Sequence, residues 1–517
     1  MSRLRRAVHG VASSYILLAA TAFYSLASVP VALHYLDARR FGLWVVMGTL
    51  TGYLGLIDAG MTGAAARLLV DYKDHRNDGK YGGFIKTGWL VFCLQGALIF
   101  VIGLALAGTF ARLLAIDQVL RPEFIRLVDW QCGAVAFSFA TRMLYLILNG
   151  HQRMDLTNYI GVAGLALNFV IQWVLFHFNF GVLSLAFGAI AAAVFTTICQ
   201  AAACARLKLL PQPDKWGRIS RAYFVEIANF GKDLFLVSVG TQLIMASQAI
   251  IITRMLGLEA AAVWGIGLRM FNLVNQLIWR VSDMSASAFS EMMARGEISR
   301  LRDRYRSVAI LTFSLAGWAA VSFALCNSLF VSLWTHGKIH WPAHNDGLLA
   351  IWMILTAAVH CHNSFVLLTK KVGFMRYIYF VEGSVYVWFA FWVARRGGFP
   401  AIIGCSIVCC LLFSCAYGIW RVSRFFEIPV AEVAFGWLYP MSKMMCFYLP
   451  AAGLVWWCLL GASDLTRLMV HATVAASAGA YLFLRFGIPG AFQSELLQRI
   501  PVRVAPFLKR VFFQTAN

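Results

Sequence analysis

The chain has 517 residues, of which 60% are hydrophobic and only 13% are charged, and its mean hydropathy is +0.72. A water-soluble protein of this length needs far more charge to cover its surface, so the composition excludes a soluble globular enzyme. The 44 Lys and Arg outnumber the 23 Asp and Glu, which leaves a net charge of +21 at pH 7.

Apolar runs of about 17 to 25 residues recur along the whole chain, which is the length a helix needs to cross about 30 Å of hydrocarbon. The sequence therefore predicts an all-α polytopic membrane protein with about fourteen transmembrane helices. The predicted segments, in chain order, are 11–36, 41–59, 84–111, 124–148, 157–178, 182–204, 233–253, 260–282, 307–334, 347–369, 376–394, 399–420, 444–461 and 467–485. The first segment is too long for the apolar core of a secretory signal.

The segments group into two sets of six. Residues 1–204 are predicted to form an N-terminal six-helix lobe, and residues 233–424 a C-terminal six-helix lobe. Residues 205–232 are basic and contain prolines, which indicates a cytoplasmic linker between the lobes. Residues 425–517 hold an amphipathic segment, two extra transmembrane helices and a basic tail, and the segment and tail are expected at the membrane surface.

Two stretches about 220 positions apart resemble each other, at residues 33–67 and 253–292. Trp44 corresponds to Trp264, and each stretch contains the end of one apolar helix, a turn, a second apolar helix and a charged loop. Such a long period predicts a duplicated bundle. Because six helices separate the two copies, both enter the membrane from the same side, and an axis along the membrane normal is expected to relate them.

Basic residues are distributed unequally between the predicted loops. One alternate set of loops carries 31 Lys and Arg, and the opposite set carries 10. Basic loops remain in the cytoplasm, so both termini are predicted to be cytoplasmic. Most of the positive charge then serves orientation and contact with anionic lipids, and nucleic-acid binding is not expected.

Four motifs are informative about the family: FGLW at 41–44, GLIDAGMTGAAARLL at 55–69, NGHQR at 149–153 and RMLGLEAAAVW at 254–264. With them, the sequence resembles the polysaccharide and lipid-linked oligosaccharide flippases of the multidrug/oligosaccharidyl-lipid/polysaccharide exporter superfamily. The resemblance covers most of residues 10–420.

This resemblance implies two six-helix lobes around a cavity that opens alternately to each side of the bacterial inner membrane. The implied cargo is an undecaprenyl-pyrophosphate-linked oligosaccharide for surface polysaccharide such as the O-antigen of lipopolysaccharide. Polysaccharide polymerase and chain-length proteins are the implied partners. A transporter of this kind is not an enzyme and needs no cofactor, and the sequence contains no nucleotide-binding loop.

The second helix of the C-terminal lobe carries polar residues three or four positions apart. They are Arg269, Asn272, Gln276, Arg280 and Asp283. At 100° per residue this spacing predicts one polar stripe, and a charge in the bilayer is costly enough that the stripe should face protein or water. The alternative interpretation of such polar residues is hydrogen bonding between packed helices.

Arginine is the usual partner of phosphate, so Arg269 is predicted to hold the pyrophosphate of the lipid carrier. Arg142 and Arg280 are expected to support it, and Asn272 and Gln276 complete the predicted substrate-binding set. For Arg269, the alternative is a structural cation neutralised by a nearby acid or by helix-end carbonyls.

Three acids are candidates for gating or ion coupling. Asp58 and Asp283 lie near the cytoplasmic ends of their helices, where pairing with a local basic group is an equally good interpretation. Glu382 is a candidate proton carrier, although it could instead pair with Arg376. No metal site is expected, because the 12 cysteines lie mostly in apolar runs, where they read as packing residues.

Two other functions remain open. A cation-coupled multidrug exporter on the same fold would be expected to have acids inside its lobes and fewer cationic residues. A membrane-embedded polymerase or glycosyltransferase would need a sizeable external loop, whereas the longest predicted ones, 112–123 and 335–346, are short. The three intramembrane arginines favour an anionic cargo.

Overall fold

The computed structural model describes residues 3–74, 78–369, 373–490 and 492–493, with the side chains of 3–11, 230 and 232–234 left aside. Throughout these ranges the regular structure is helical, without strands, as predicted. All fourteen predicted segments fall in helices. The predicted basic tail lies, apart from its first few residues, outside the described residues.

Eleven helices in the described part are long and apolar enough to cross a membrane. The difference from fourteen has three physical causes. The predicted segments 376–394 and 399–420 are both present as helices, but they meet directly in a kink at Gly398, φ 56°, and so count as one apolar span in this total. The predicted segment 260–282 is interrupted and polar on one face. The helix that contains most of segment 444–461, Tyr439–Cys458, carries two tyrosines, two tryptophans, two prolines and Lys443, which lower its hydropathy.

Two compact units divide the chain, Met1–Gly265 and Ile266–Asn517. The helices of the first unit are α1 (Arg3–Tyr35), α2 (Ala38–Leu54), α3 (Met61–Tyr72), α4 (Lys80–Leu113), α5 (Arg121–Gly150), α6 (Met154–His177), α7 (Leu183–Arg206), α8 (Arg221–Met245), α9 (Ser247–Leu256) and most of α10 (Leu258–Gly267). The first unit thus includes helices that follow the predicted linker. The division into two six-helix lobes stays a prediction.

The helical backbone is interrupted after α2, and this interruption at residues 55–60 is called the break below. A 3₁₀ turn, Gly55–Asp58, is followed by two left-handed residues, Ala59 at φ 48° and Gly60 at φ 75°. The short helix α3 then begins, where the sequence predicted only a charged loop. Its buried face is rich in alanine and leucine and packs on α5 and α8. Twelve residues are too few to span a membrane, which is why the apolar pattern did not reveal this helix.

The linker is docked on the start of α4. Lys86 Nζ donates to the Gly217 carbonyl at 3.3 Å, and the Ser220 amide donates to Thr87 Oγ1 at 3.1 Å. A Cβ on Gly82 would collide with the backbone of Lys215 and Trp216, so only glycine permits this approach.

The linker also leads into α8, whose first turns meet α3. Tyr72 donates its hydroxyl to Glu226 Oε2 at 2.8 Å. Burial and the hydrogen bond to the Glu226 carboxylate raise the pKa of Tyr72 to about 12, so the phenol stays protonated and donates.

Helix α2 packs on α8 and α9. Gln242 Nε2 donates to the Gly52 carbonyl at 2.7 Å, and the hydroxyls of Tyr53 and Ser247 share a hydrogen bond. Gly42 lies directly against the Leu258 carbonyl. Helix α2 is therefore in contact with protein through α8, α9 and the start of α10.

The second unit contains the remaining helices. They are α11 (Arg269–Ala294), α12 (Ile298–Trp334), α13 (His344–Leu368), α14 (Met375–Cys410), α15 (Ala416–Phe426), α16 (Tyr439–Cys458) and α17 (Asp464–Val474), which continues through π-helical turns to Gly487. A π-helical turn, Leu411–Cys415, joins α14 to α15. Tyr305 lies in the core against Phe365, Phe426 and the fully buried Trp437. The predicted amphipathic segment 425–443 thus places part of one face in this core.

Candidate functional site

Asp58 and Arg142 form an ion pair in the first unit. The Arg142 guanidinium Nη1 lies 3.0 Å from Asp58 Oδ1 and donates to Thr62 Oγ1 at 2.8 Å. Thr62 in turn donates its amide and its hydroxyl to the Asp58 carboxylate. The break after α2 makes this possible, because it points Asp58 towards α5 and places Thr62 in the first turn of α3.

The Arg142 guanidinium is also enclosed on one face by the Phe139 ring, 3.7 Å from its centroid. Only 25% of the arginine side chain and 19% of the aspartate side chain are exposed. Arg142 is therefore neutralised in this conformation, and a phosphate reaches it only by competing with the Asp58 carboxylate. The basic partner of Asp58 is not local, since 84 positions separate the two residues.

Gln95 on α4 stabilises the same break. Its Nε2 donates to the carbonyls of Ile57 at 2.8 Å and of Asp58 at 3.2 Å. These carbonyls end a helix inside an apolar unit, where an unpaired carbonyl would be costly. Gln95 therefore holds the backbone segment that carries Asp58 and so helps to position the Asp58–Arg142 pair.

Helix α11 has an apolar face inside the second unit and a polar face exposed on it. Phe271, Asn275 and Ile278 are buried. The polar stripe predicted from the sequence lies mainly on the other side, with Asn272, Gln276, Arg280 and Asp283 exposed and Arg269 half-buried at the start of the helix. In the part of the chain that the structure describes, Arg280 has no carboxylate partner.

Asp283 has a partner on α13. The Asp283 Oδ1 atom lies 2.9 Å from His360 Nε2, and the His360 ring stacks on Trp279 with centroids 4.7 Å apart. Each unit therefore pairs an acid near the end of a repeat helix with a basic side chain. Asp58 pairs with Arg142 in the first unit, and Asp283 pairs with His360 in the second.

Glu382 on α14 is buried, with 2% of its surface exposed. Its two carboxylate oxygens accept from the hydroxyl and the amide of Ser414, each at 3.1 Å. Ser414 lies in the π-helical turn between α14 and α15, and π-helical turns occur frequently at functional sites. No hydrogen bond from Arg376 reaches this carboxylate in the described residues, so the alternative of a Glu382–Arg376 pair is not what the structure contains.

Sequence reasoning missed the partners of all three acids. Thr62, His360 and Ser414 carry no distinctive motif, and two of them lie more than 30 positions from their acid. One signal was available for His360. It lies near the position that corresponds to Arg142 when the two repeat copies are superimposed at an offset of about 220 residues.

Comparisons with known proteins agree with this architecture. The sequence profile of the family described as polysaccharide biosynthesis protein matches residues 66–337, which is more than half of the chain. No curated protein matches the sequence.

Solved structures with the same fold include the lipid II flippase MurJ in an inward closed conformation. It has a TM-score of 0.72 at 9% identity, over 95% of this chain and 100% of that one. An inward-facing multidrug resistance MATE transporter has a TM-score of 0.69 at 15% identity, over 78% and 95%. A transporter from Pyrococcus furiosus, described as having a binding pocket of reverse polarity, has a TM-score of 0.54 at 15% identity, over 81% and 94%.

The first finding rests on the sequence profile and the second on backbone geometry. Together they show that the chain belongs to the polysaccharide biosynthesis protein family and has the fold of the transporters and flippases of the multidrug/oligosaccharidyl-lipid/polysaccharide exporter superfamily.

Proposed function

We propose that this protein flips a lipid-linked oligosaccharide, an undecaprenyl-pyrophosphate glycan, across the bacterial inner membrane for the synthesis of surface polysaccharide such as O-antigen. Alternating access moves the cargo, and both termini are cytoplasmic. The family supports the polysaccharide pathway. The likeness to a protein described as a lipid II flippase supports a lipid-linked cargo.

The observation that carries the proposal is the exposed polar face of α11. A chain that is only 13% charged leaves Arg280 exposed without a carboxylate partner in the described residues. It lies one turn from Gln276 and two turns from Asn272 on the same face. An arginine in hydrocarbon costs roughly 2.5–3.5 kcal/mol even on insertion scales. The face therefore borders water or an anionic ligand, and a pyrophosphate suits the forked guanidinium.

Arg269 starts the same face, and Arg142 is a separate proposed contact for the cargo within the first unit. Arg142 is bound to Asp58 in this conformation, so we assign it to a step in which the cargo displaces the carboxylate. The acids Asp58 and Asp283 then act as the gating partners of Arg142 and His360. Polysaccharide polymerase and chain-length proteins are the proposed partners downstream of the flippase.

The test measures lipid-linked glycan export in a strain that lacks the chromosomal gene, with membrane abundance measured alongside. Arg269→Gln and Arg280→Gln should insert at normal abundance and lose roughly tenfold or more of export, as expected for the loss of a charge-assisted hydrogen bond. The corresponding lysine variants should retain part of it. Arg295→Gln is the matched control, since Arg295 follows the same helix and pairs with Glu291 at the surface.

The same assay tests Glu382 as the proton carrier. Glu382→Gln keeps an oxygen that can accept from Ser414, so the variant should fold. Its export should no longer respond to an imposed proton gradient.

Wild-type export by abundant Arg269→Gln and Arg280→Gln proteins would refute the assignment of the cargo site.

A cation-coupled multidrug exporter is the second candidate, and the TM-score of 0.69 with a multidrug transporter favours it. The two functions differ in cargo charge. Efflux of cationic drugs that survives in the arginine variants, with no accumulation of lipid-linked glycan in the deletion strain, would establish this candidate in place of the flippase.

A further inference from the structure

The first unit contains an open pocket of about 510 Å³ at the end that the basic-residue distribution predicts to be external. It lies where the end of α1, the start of α2, the start of α5 and the loop from α6 to α7 converge. Its α5 residues lie at the opposite end of that helix from Arg142, since 16 positions, about four turns, separate Arg126 from Arg142. Its volume falls in the range of small-molecule sites, about 300–1,000 Å³.

Aromatic rings form one side of this pocket. Tyr35 stacks on Phe176 with centroids 5.3 Å apart and an interplanar angle of 1°. Phe176 is buried beneath, whereas Tyr35 and Phe180 remain 38% and 48% exposed. The buried ring fixes the orientation of the exposed one, so the pocket presents a rigid aromatic surface.

Charged and amide side chains form the other side. Arg40 Nε donates to Glu123 Oε2 at 3.1 Å, which joins the start of α2 to the start of α5. One turn beyond Glu123, Arg126 is exposed and has no carboxylate partner among the described residues. Asn179, held at φ 60° in the loop, also lines the pocket. Arg40 also pairs with Asp37 at 3.1 Å, so two carboxylates offset its charge, and Arg126 is the lining cation that no carboxylate among the described residues neutralises.

The corresponding place in the second unit is filled. Asp346 lies in the first turn of α13, as Glu123 does in α5, but it is fully buried. The indole of Trp341 donates to Asp346 Oδ1 at 2.7 Å and packs against Gly267 and Phe399. The duplicated fold can therefore close this position with a side chain, and the first unit leaves it open.

We propose that the pocket binds a sugar residue that carries a carboxylate, such as a uronic acid in the glycan. The inference rests on the proposed function and on the predicted orientation. The C–H face of a pyranose packs on an aromatic ring, and planar charged side chains hydrogen-bond its hydroxyls. Arg126 supplies the unpaired guanidinium for the carboxylate. The pocket then holds the head of the glycan on the external side while the lipid carrier leaves the cavity.

The experiment uses the full-length protein in lipid nanodiscs and saturation-transfer NMR with two soluble probes, methyl β-glucuronide and methyl β-glucoside. The glucuronide should give a saturable signal, and the glucoside should bind roughly fivefold more weakly or worse. Arg126→Ala and Tyr35→Leu should each weaken glucuronide binding by about fivefold or more. Arg112→Ala is the matched control, because Arg112 ends α4 outside the pocket and contacts its own helix backbone.

No saturable glucuronide signal, or equal affinity in Arg126→Ala, Tyr35→Leu and the wild type, would overturn the proposal. Equal binding of the glucoside would overturn the assignment of a carboxylate. Glucuronide binding and glycan export are separate measurements. Arg269→Gln should lose export and keep glucuronide binding, so a failure of the pocket proposal can be distinguished from a failure of the proposed function.

Discussion

At the scale of single residues, the ion pair between Asp58 and Arg142 is largely enclosed by protein. Arg142 is shared between Asp58 and Thr62, and its guanidinium lies on Phe139. A pair with little solvent contact is weak evidence of stabilisation, because desolvation offsets the attraction. Loss of one partner is still costly, since it leaves the other charged and enclosed.

We therefore expect Asp58→Asn and Arg142→Gln each to lower the stability of the protein by roughly 1–3 kcal/mol, less than for a fully buried pair. The double variant should unfold closer to the wild type than either single variant, because no enclosed charge remains. Thermal unfolding of the detergent-solubilised protein measures this cycle.

The double variant also separates structure from function. If Arg142 contacts the cargo, the double variant recovers stability and still lacks export. Recovery of both would make the pair purely structural. Additive losses of stability in the double variant would show that the two side chains do not interact energetically.

At the scale of elements, the linker is held by the backbone of α4. Gly82 touches the backbone of Lys215 and Trp216, and the linker then supplies the Ser220 amide to Thr87. Because neither backbone can move by rotating a side chain, a methyl group at this position has no room. The linker thus behaves as part of the first unit.

Gly82→Ala should release the linker and destabilise the protein by about 1–3 kcal/mol, the usual cost of overpacking. Trypsin should then cut faster at Lys215 and Arg218, which limited proteolysis followed by mass spectrometry detects. Gly108→Ala, on the same helix with nothing within 4 Å of its Cβ position, is the control and should cut at the wild-type rate. Unchanged cleavage in Gly82→Ala would mean that the linker is not held there.

At the scale of the whole molecule, comparable positions in the two units carry different side chains. The acid in the first unit pairs with an arginine and the acid in the second with a histidine. The first turn of α5 borders an open pocket, whereas the first turn of α13 is closed by Trp341. Duplication explains the common architecture, and later divergence explains why only one copy offers each feature.

Membrane orientation is a property of the whole chain and is tested as such. The excess of basic residues in one set of loops predicts that reporter fusions after Asp214 and Arg302 are cytoplasmic and that fusions at Asp117 and His340 are external. A fusion after Arg76 should also be cytoplasmic, although that residue lies outside the described ones. A cytoplasmic signal at His340 would contradict the predicted orientation of the second set of helices.

The sequence by itself determined that the protein is all-helical and spans a membrane, and each of the fourteen predicted segments falls in helical structure. The reason is that apolar length is a local property, readable in one stretch at a time. The polar face of α11 was readable for the same reason, since Asn272 and Arg280 lie on one face by spacing alone.

Only the tertiary structure decided the partners of the charged groups. The Asp58–Arg142, Asp283–His360 and Glu382–Ser414 contacts join residues 84, 77 and 32 positions apart, and their geometry depends on how whole helices pack. The break that aims Asp58 and the helix α3 that follows it depend equally on contacts with α4, α5 and α8. The pocket beside Tyr35 is formed by four chain segments at once, so no single stretch of sequence contains it.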